Sequence, residues 1–181
     1  MKNLLFLLLL VALAISFNAC KGKDDNAWKD ANTDAYNAIT KNTEYRALQT
    51  ATGPTGVYYK VINSGTGTVY PLQTSKVKVL YKGTYYNKTV FDAGTSGNDI
   101  PAIFGVNGSI YSGTTPLVSI SRGLSFVLQN MVVGDKWEIW IPYYLGYGSG
   151  DYYTISNYQL YAKAYSTLIF EVELVSITQY P

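Results

Sequence analysis

The spacing of apolar residues changes several times along the chain. Residues 4–15 are unbroken apolar sequence. From Trp28 to about Leu48, the residues Trp28, Ala31, Ala35, Ile39, Tyr45 and Leu48 follow a loose helical period, which predicts a helix. Thr50-Ala51-Thr52-Gly53-Pro54-Thr55-Gly56 then interrupts the chain with turn formers. From Val57 onward the pattern is β. VYYKVI (57–62) and SKVKVLYKG (75–83) read as strands, the second with Val77, Val79 and Tyr81 on one face. Gly83 to Lys88 reads as a turn leading into Thr89-Val90-Phe91-Asp92. Residues 93–121 are rich in Gly, Ser and Thr, with one short strand near IPAIFGV (100–106).

The stretch RGLSFVLQNMVVGDKWEIWIP (122–142) changes period within itself. Leu124, Val127, Leu128 and Met131 share a helical face, Ser121 can cap the N-terminus, and Gly134 is a natural stop. Trp137, Ile139 and Ile141 then alternate with Lys136, Glu138 and Trp140, which predicts a half-exposed strand ended by Pro142. A tyrosine-rich loop (143–165) follows. STLIFEVELVSI (166–177) is a last strand with Leu168, Phe170, Val172 and Leu174 on one face. The sum is an α+β domain in which a mainly antiparallel sheet receives one short helix.

The ends alter this picture. Lys2 followed by the apolar run of 4–15 is too short to span a membrane with ease and has the form of a secretory signal. Phe17-Asn18-Ala19-Cys20 resembles the bacterial lipobox, which implies lipidation of Cys20, the single cysteine, and a membrane partner reached through that anchor. Lys21-Gly22-Lys23-Asp24-Asp25 is similar to export signals for the outer membrane's surface, or serves as a solvated tether. The expected organisation is a signal peptide at 1–19, a tether at 20–27, an N-terminal helical extension at 28–55 and the main domain at 56–181.

Composition removes whole classes of chemistry. The 181 residues include no histidine, and with Cys20 lipidated no thiol remains. Ser-His and Cys-His nucleophile systems and His-ligated zinc are therefore excluded. Lys plus Arg number 14 against 12 Asp plus Glu, a balance of +2 that gives no reason to expect nucleic acid. Asp30, Asn32 and Asp34 begin like a calcium loop, but Ala35 stands at the required glycine and Lys41 at the bidentate acid. No metal or cofactor is expected. The 18 tyrosines suit β-structure and wet binding surfaces.

Three blocks in order carry a resemblance: VKVLYKGTYYNKTVFDAG (77–94), LQNMVVGDKWEIWIPYYLGYG (128–148) and STLIFEVELVSI (166–177), with VYYKVINSGTG (57–67) fitting ahead of them. They resemble the FKBP-type peptidyl-prolyl isomerases. The resemblance implies a curved sheet wrapped around one short helix, with a substrate proline entering between them. It implies Phe91 and Phe170 as apolar walls, Tyr147 as donor to a substrate carbonyl, and Asp92, held by Tyr81, facing the amide carbonyl carbon. Leu124 stands where the family has a tryptophan flooring the pocket. The apolar pair before it, which donates a backbone N–H, aligns either with Ile120 and Ser121, or with Ile110 if Tyr111 to Ser121 is an insertion.

The implied partners are proline-containing polypeptide segments, and the implied function is an envelope isomerase that assists folding. Two alternatives remain open: a weakly catalytic or inactive binding and chaperone module on the same scaffold, and a surface ligand binder. The second would take glycans through Tyr143, Tyr144, Tyr152, Tyr153, Tyr158 and Tyr161.

Overall fold

The computed structural model describes residues 26–94, 101–106, 108–112, 115–155 and 157–178. The signal segment and Cys20 lie outside them. Helix α1 spans 26–39. Strands β1 (Arg46–Thr50), β2 (Gly53–Asn63), β3 (Lys76–Tyr85), β4 (Val90–Asp92), β5 (Ala102–Gly105), β6 (Ser109–Ser112) and β7 (Thr115–Ser119) follow. Then come helix α2 (Arg122–Leu128), β8 (Lys136–Ile141), a single 3-10 turn (Tyr143–Leu145), β9 (Tyr152–Tyr153), β10 (Leu160–Ala162) and β11 (Leu168–Thr178). The main sheet runs β1-β2-β8-β11-β3-β5-β6-β7, with β4 paired to β3. Its ladders are antiparallel. The α+β architecture with a short helix on a sheet, and a helix ahead of it, is the one the pattern predicts.

One face of the sheet and α2 make the principal core. Val57, Val77, Val79, Phe104, Ile139, Ile141, Leu168, Phe170, Val172 and Leu174 meet Leu124, Val127, Leu128 and Met131 there, all buried. Each large side chain so buried contributes about 1.5–3 kcal/mol. Ser121 caps α2 by accepting the Leu124 N–H at 3.3 Å. A glycine stands in the first turn of α2, at position 123, where a Cβ would lie 2.5 Å from Ile141 Cγ2. Only a bare backbone lets the first turn of α2 press this closely onto β8.

The other face was not legible as a buried surface. Trp140, expected on the exposed side of its strand, is only 7% exposed, because α1 lies over it. Ile39, Trp140 and Ile169 form a second cluster, flanked by Ala35, Tyr45 and Tyr58. Buried Asn32 fixes the helix in place. Its Oδ1 accepts the Thr167 N–H at 2.7 Å, its carbonyl accepts the Thr167 hydroxyl at 3.0 Å, and its Nδ2 donates to the Trp28 carbonyl at 2.8 Å. Trp28 Nε1 adds a bond to the Ala164 carbonyl at 3.0 Å. The Glu138 carboxylate, on the same face, accepts from Tyr45 Oη at 2.6 Å and Trp140 Nε1 at 2.9 Å.

Several boundaries differ from the pattern. The helix reaches 39 and not Leu48, since Tyr45 and Leu48 keep the apolar phase only by turning onto the sheet, Leu48 within β1. Gly53 to Gly56 open β2 instead of breaking the chain; both glycines take positive φ, 118° and 87°. The strand β3 continues through Gly83 to Tyr85, and the turn is made by residues after it, with Lys88 at φ 66°. Gly134 lies in the turn before β8, whereas α2 already ends at Leu128 with Gln129 as its C-cap. The Gly/Ser/Thr-rich region holds the β6–β7 hairpin as well as β5. That register puts Ile110 in β6 and leaves Ile120 directly ahead of the α2 cap.

Candidate active site

Three neighbouring strands bring the predicted residues together. Gly83 of β3 pairs with Phe170 of β11 on one side and with Asp92 of β4 on the other. Gly83 has no side chain to fill the space above it, and the rings of Phe91 and Phe170 close over it. They meet edge to face with centroids 5.5 Å apart. A Cβ at position 83 would lie 2.7 Å from Phe91 Cζ and 3.1 Å from Phe170 Cε1. Two residues earlier on β3, the Tyr81 hydroxyl donates to Asp92 Oδ2 at 2.9 Å. Gly94 N–H donates to Oδ1 at 2.8 Å.

The tyrosine-rich loop contributes what the pattern did not assign to this site. It folds as the small β9–β10 hairpin, and Tyr161 of β10 donates a hydrogen bond to the same Asp92 Oδ2. The Tyr161 ring stands edge to face against Phe91 at 5.6 Å and against Tyr147 at 5.4 Å. Tyr147 stacks on Tyr152 at 4.5 Å. This pair grips one residue of β7 from both sides: the Tyr147 hydroxyl donates to the Ser119 carbonyl at 3.1 Å, and Ser119 N–H donates to the Tyr152 hydroxyl at 3.2 Å. The signal for Tyr161 was available only as one aromatic among many; its pairing with Asp92 spans 69 residues of sequence.

Burial is the main cause that raises the phenols of Tyr81, Tyr147 and Tyr161 above the ordinary tyrosine value, with the nearby Asp92 charge adding to it. All three therefore remain neutral hydrogen-bond donors at physiological pH. The cluster is a carboxylate that accepts from three donors and is set among aromatic rings, an arrangement that can orient and desolvate a bound amide.

The remaining predicted residues are placed differently. Leu124 is 1% exposed and Phe170 0%, so a ligand meets them only after a neighbouring ring shifts. The Ile120 N–H, one of the two alternatives for the substrate-facing backbone donor, donates to the Gly108 carbonyl at 2.9 Å. The Ser121 hydroxyl is committed to the α2 cap. Tyr147, expected to face a substrate carbonyl, holds the Ser119 carbonyl in its place.

Residues 67–175 match the family model for FKBP-type peptidyl-prolyl cis-trans isomerase, a span that contains the whole constellation. The chain belongs to this FKBP family. The FKBP-type 22 kDa peptidyl-prolyl cis-trans isomerase of Escherichia coli K12 is 38% identical over 122 residues, covering 67% of this chain and 50% of that protein. Outer membrane protein MIP of Legionella longbeachae is 32% identical over 68% of this chain and 45% of its own length. FkpA of Aeromonas hydrophila is 31% identical over 81% of this chain and 49% of its own. The chain thus spans about half the length of these curated relatives. Among solved structures, FkpA from Escherichia coli matches with a TM-score of 0.65 at 24% identity, over 99% of this chain and 73% of that one. A peptidyl-prolyl cis-trans isomerase from Pseudomonas syringae matches at 0.64 and 23% identity, over 85% and 96%. These two likenesses establish the FKBP fold around the site.

Proposed function

We propose that this protein is a peptidyl-prolyl cis-trans isomerase that assists folding in a bacterial envelope. The observation that carries the reading is the joined unit of Tyr81, Asp92, Phe91 and Phe170 across β3, β4 and β11. Once a neighbouring ring shifts, a proline ring would seat against Phe91 and Phe170 above Leu124, with the preceding carbonyl toward Asp92 and Tyr147. Rotation about that bond is slow because resonance holds the amide planar, at about 18–20 kcal/mol. Before proline the two isomers differ by only about 0.5–1 kcal/mol, so lowering the barrier is the whole task. An apolar, aromatic site disfavours the polar planar amide relative to the twisted one, and fixed donors and the carboxylate orient it. A chain without histidine is no obstacle to this chemistry.

The test is protease-coupled isomerisation of X-Pro peptides. Wild-type protein accelerates the reaction, and Asp92→Ala lowers kcat/KM by at least tenfold. A wild-type rate equal to the uncatalysed one would remove the isomerase reading.

A second reading, a binding or chaperone module with weak catalysis, is favoured by one observation: Tyr161 and the Ser119 carbonyl already occupy groups that a substrate would use. Suppression of aggregation of an unfolded client, undiminished in Asp92→Ala, distinguishes it.

The location belongs to the same proposal. Cys20 is read as lipidated, which anchors the domain to the outer membrane. The Phe17-Asn18-Ala19-Cys20 sequence supports this, as does similarity to a protein named for the outer membrane. Among the described residues no helix is long and apolar enough to cross a membrane. Incorporation of labelled fatty acid, abolished by Cys20→Ala, tests the anchor.

A further inference from the structure

We infer that the cavity beside the start of α1 binds a membrane lipid headgroup that carries both a phosphate and a primary ammonium. The inference rests on the lipid anchor read at Cys20 and adds a second attachment to it. The cavity, about 290 Å³, lies between Trp28 of α1 and the segments on either side of the β9–β10 hairpin, which supply Asp151, Lys163 and Tyr165. Its walls are held in place. Trp28 Nε1 donates to the Ala164 carbonyl at 3.0 Å, and the Ala164 N–H donates to Asp151 Oδ1 at 2.8 Å, so one residue ties the two sides together. The Trp28 ring rests against Tyr85 and Tyr86, with centroids 5.2 and 5.4 Å away. Tyr165 presents its ring from a φ of 56°, a conformation uncommon for a bulky residue.

Two cations stand here. Lys163 Nζ is 4.6 Å from the centre of the Trp28 ring, and Lys29 Nζ is 4.8 Å from that of Tyr165. Among the described residues neither forms an ion pair; those present join Lys60 to Glu44 and Lys136 to Glu171. A ring face positions an ammonium without neutralising it, so both remain available to a phosphate. Asp151 lines the same cavity, and its carboxylate would repel a simple anion. An ammonium on the ligand answers that charge. The occupant follows from the tether. Only five residues, 21–25, separate Cys20 from the start of α1 at 26. A fully extended chain advances about 3.3–3.6 Å per residue, so a lipid on Cys20 is never more than roughly 22 Å from the helix. Headgroups are then always close to Trp28, and Trp, Tyr and Lys are side chains suited to a membrane–water interface.

The experiment places the lipid-anchored protein in galactolipid vesicles, which lack phosphate, and measures labelling of single lysines by an amine reagent with mass spectrometry. Adding phosphatidylethanolamine slows labelling of Lys29 and Lys163 by about tenfold, the protection that nine-tenths occupancy gives. Phosphatidylcholine, whose quaternary ammonium has no N–H for Asp151, protects them about fivefold less, as a tenfold loss of affinity predicts for a missing charge-assisted hydrogen bond. Lys78, exposed on β3 and seven residues before Tyr85, is labelled equally in all vesicles. Asp151→Asn keeps an acceptor for the Ala164 N–H and loses the charge, so it removes the advantage of phosphatidylethanolamine over phosphatidylcholine. The inference is overturned if phosphatidylethanolamine gives no protection beyond the galactolipid, if the two phospholipids protect equally, or if Asp151→Asn keeps the difference. It is also overturned if inorganic phosphate protects both lysines as fully, since the site then takes a free anion. Should the chain carry no lipid, the anchor reading fails alone. Soluble glycerophosphoethanolamine then replaces the vesicles, and protection of Lys29 and Lys163, or its absence, decides the headgroup site.

Discussion

Replacing Gly83 by alanine should force apart the two walls of the site while leaving every polar group in it intact. A new Cβ would stand 2.7 and 2.9 Å from Phe91 Cζ and Cε1 and 3.1 Å from Phe170 Cε1. Ordinary contact begins near 3.4 Å, so the rings must retreat by several tenths of an ångström. Phe170 is fully buried and has nowhere to go, whereas Phe91 is half-buried and takes most of the movement. Overpacking of this kind costs about 1–3 kcal/mol. Alanine regains about 0.5–1 kcal/mol over glycine in a strand interior. The net loss is about 0–2.5 kcal/mol, or a fall in Tm of up to about 10 °C for a domain of this size. Gly150→Ala is the control, since a Cβ there meets nothing within 4 Å; its Tm should hold or rise slightly. The assay is thermal unfolding by circular dichroism, followed by X-Pro isomerisation at a temperature where both variants are folded. Gly83→Ala should lose at least tenfold in kcat/KM, with Gly150→Ala unchanged. Equal Tm and equal activity in the two variants would refute the placement of Phe91 and Phe170 over Gly83.

Asn32→Ala removes the acceptor of the buried Thr167 N–H, a loss of about 1–3 kcal/mol, and urea unfolding together with faster hydrogen exchange at Thr167 should register it. Burial pushes the Glu138 carboxyl up, but hydrogen bonds from Tyr45 and Trp140 outweigh it and hold the group below the ordinary 4.5. A depressed value means stability that is complete above 4.5 and lost as pH falls through the folded value. Glu138→Gln should therefore be less stable than wild type at pH 7, and the gap should narrow in acid unfolding below pH 4.5. The raised phenols of Tyr81, Tyr147 and Tyr161 predict that absorbance at 295 nm will show these tyrosines still un-ionised at pH 10, the ordinary midpoint, and that isomerase activity will show no alkaline loss below it.

The architecture was readable where one physical rule controls the residue. Leu124, Val127, Leu128 and Met131 are buried as their spacing required, and Leu168 to Leu174 alternate as a strand on a core must. Tyr81, Phe91, Asp92 and Phe170 were brought together by resemblance, and their ring and hydrogen-bond contacts place them in one cluster. What was hidden depends on contacts between distant segments. Trp140 looked exposed because nothing local says that α1 will cover it; the bond from Thr167 to Asn32 crosses 135 residues. Tyr161 was hidden for a similar reason: neither its neighbours nor its spacing separate it from Tyr153 or Tyr158, which end up exposed.

The docking of α1 has a mechanical consequence. Its anchor is Thr167, one residue before β11 begins, and Phe170 follows on that same strand. Tension applied to the N-terminal segment is thus delivered to the root of the strand that carries the deeper wall of the site. A pull on the N-terminal end of α1 would therefore load β11 at its first residues, next to Phe170, before it reached the rest of the sheet.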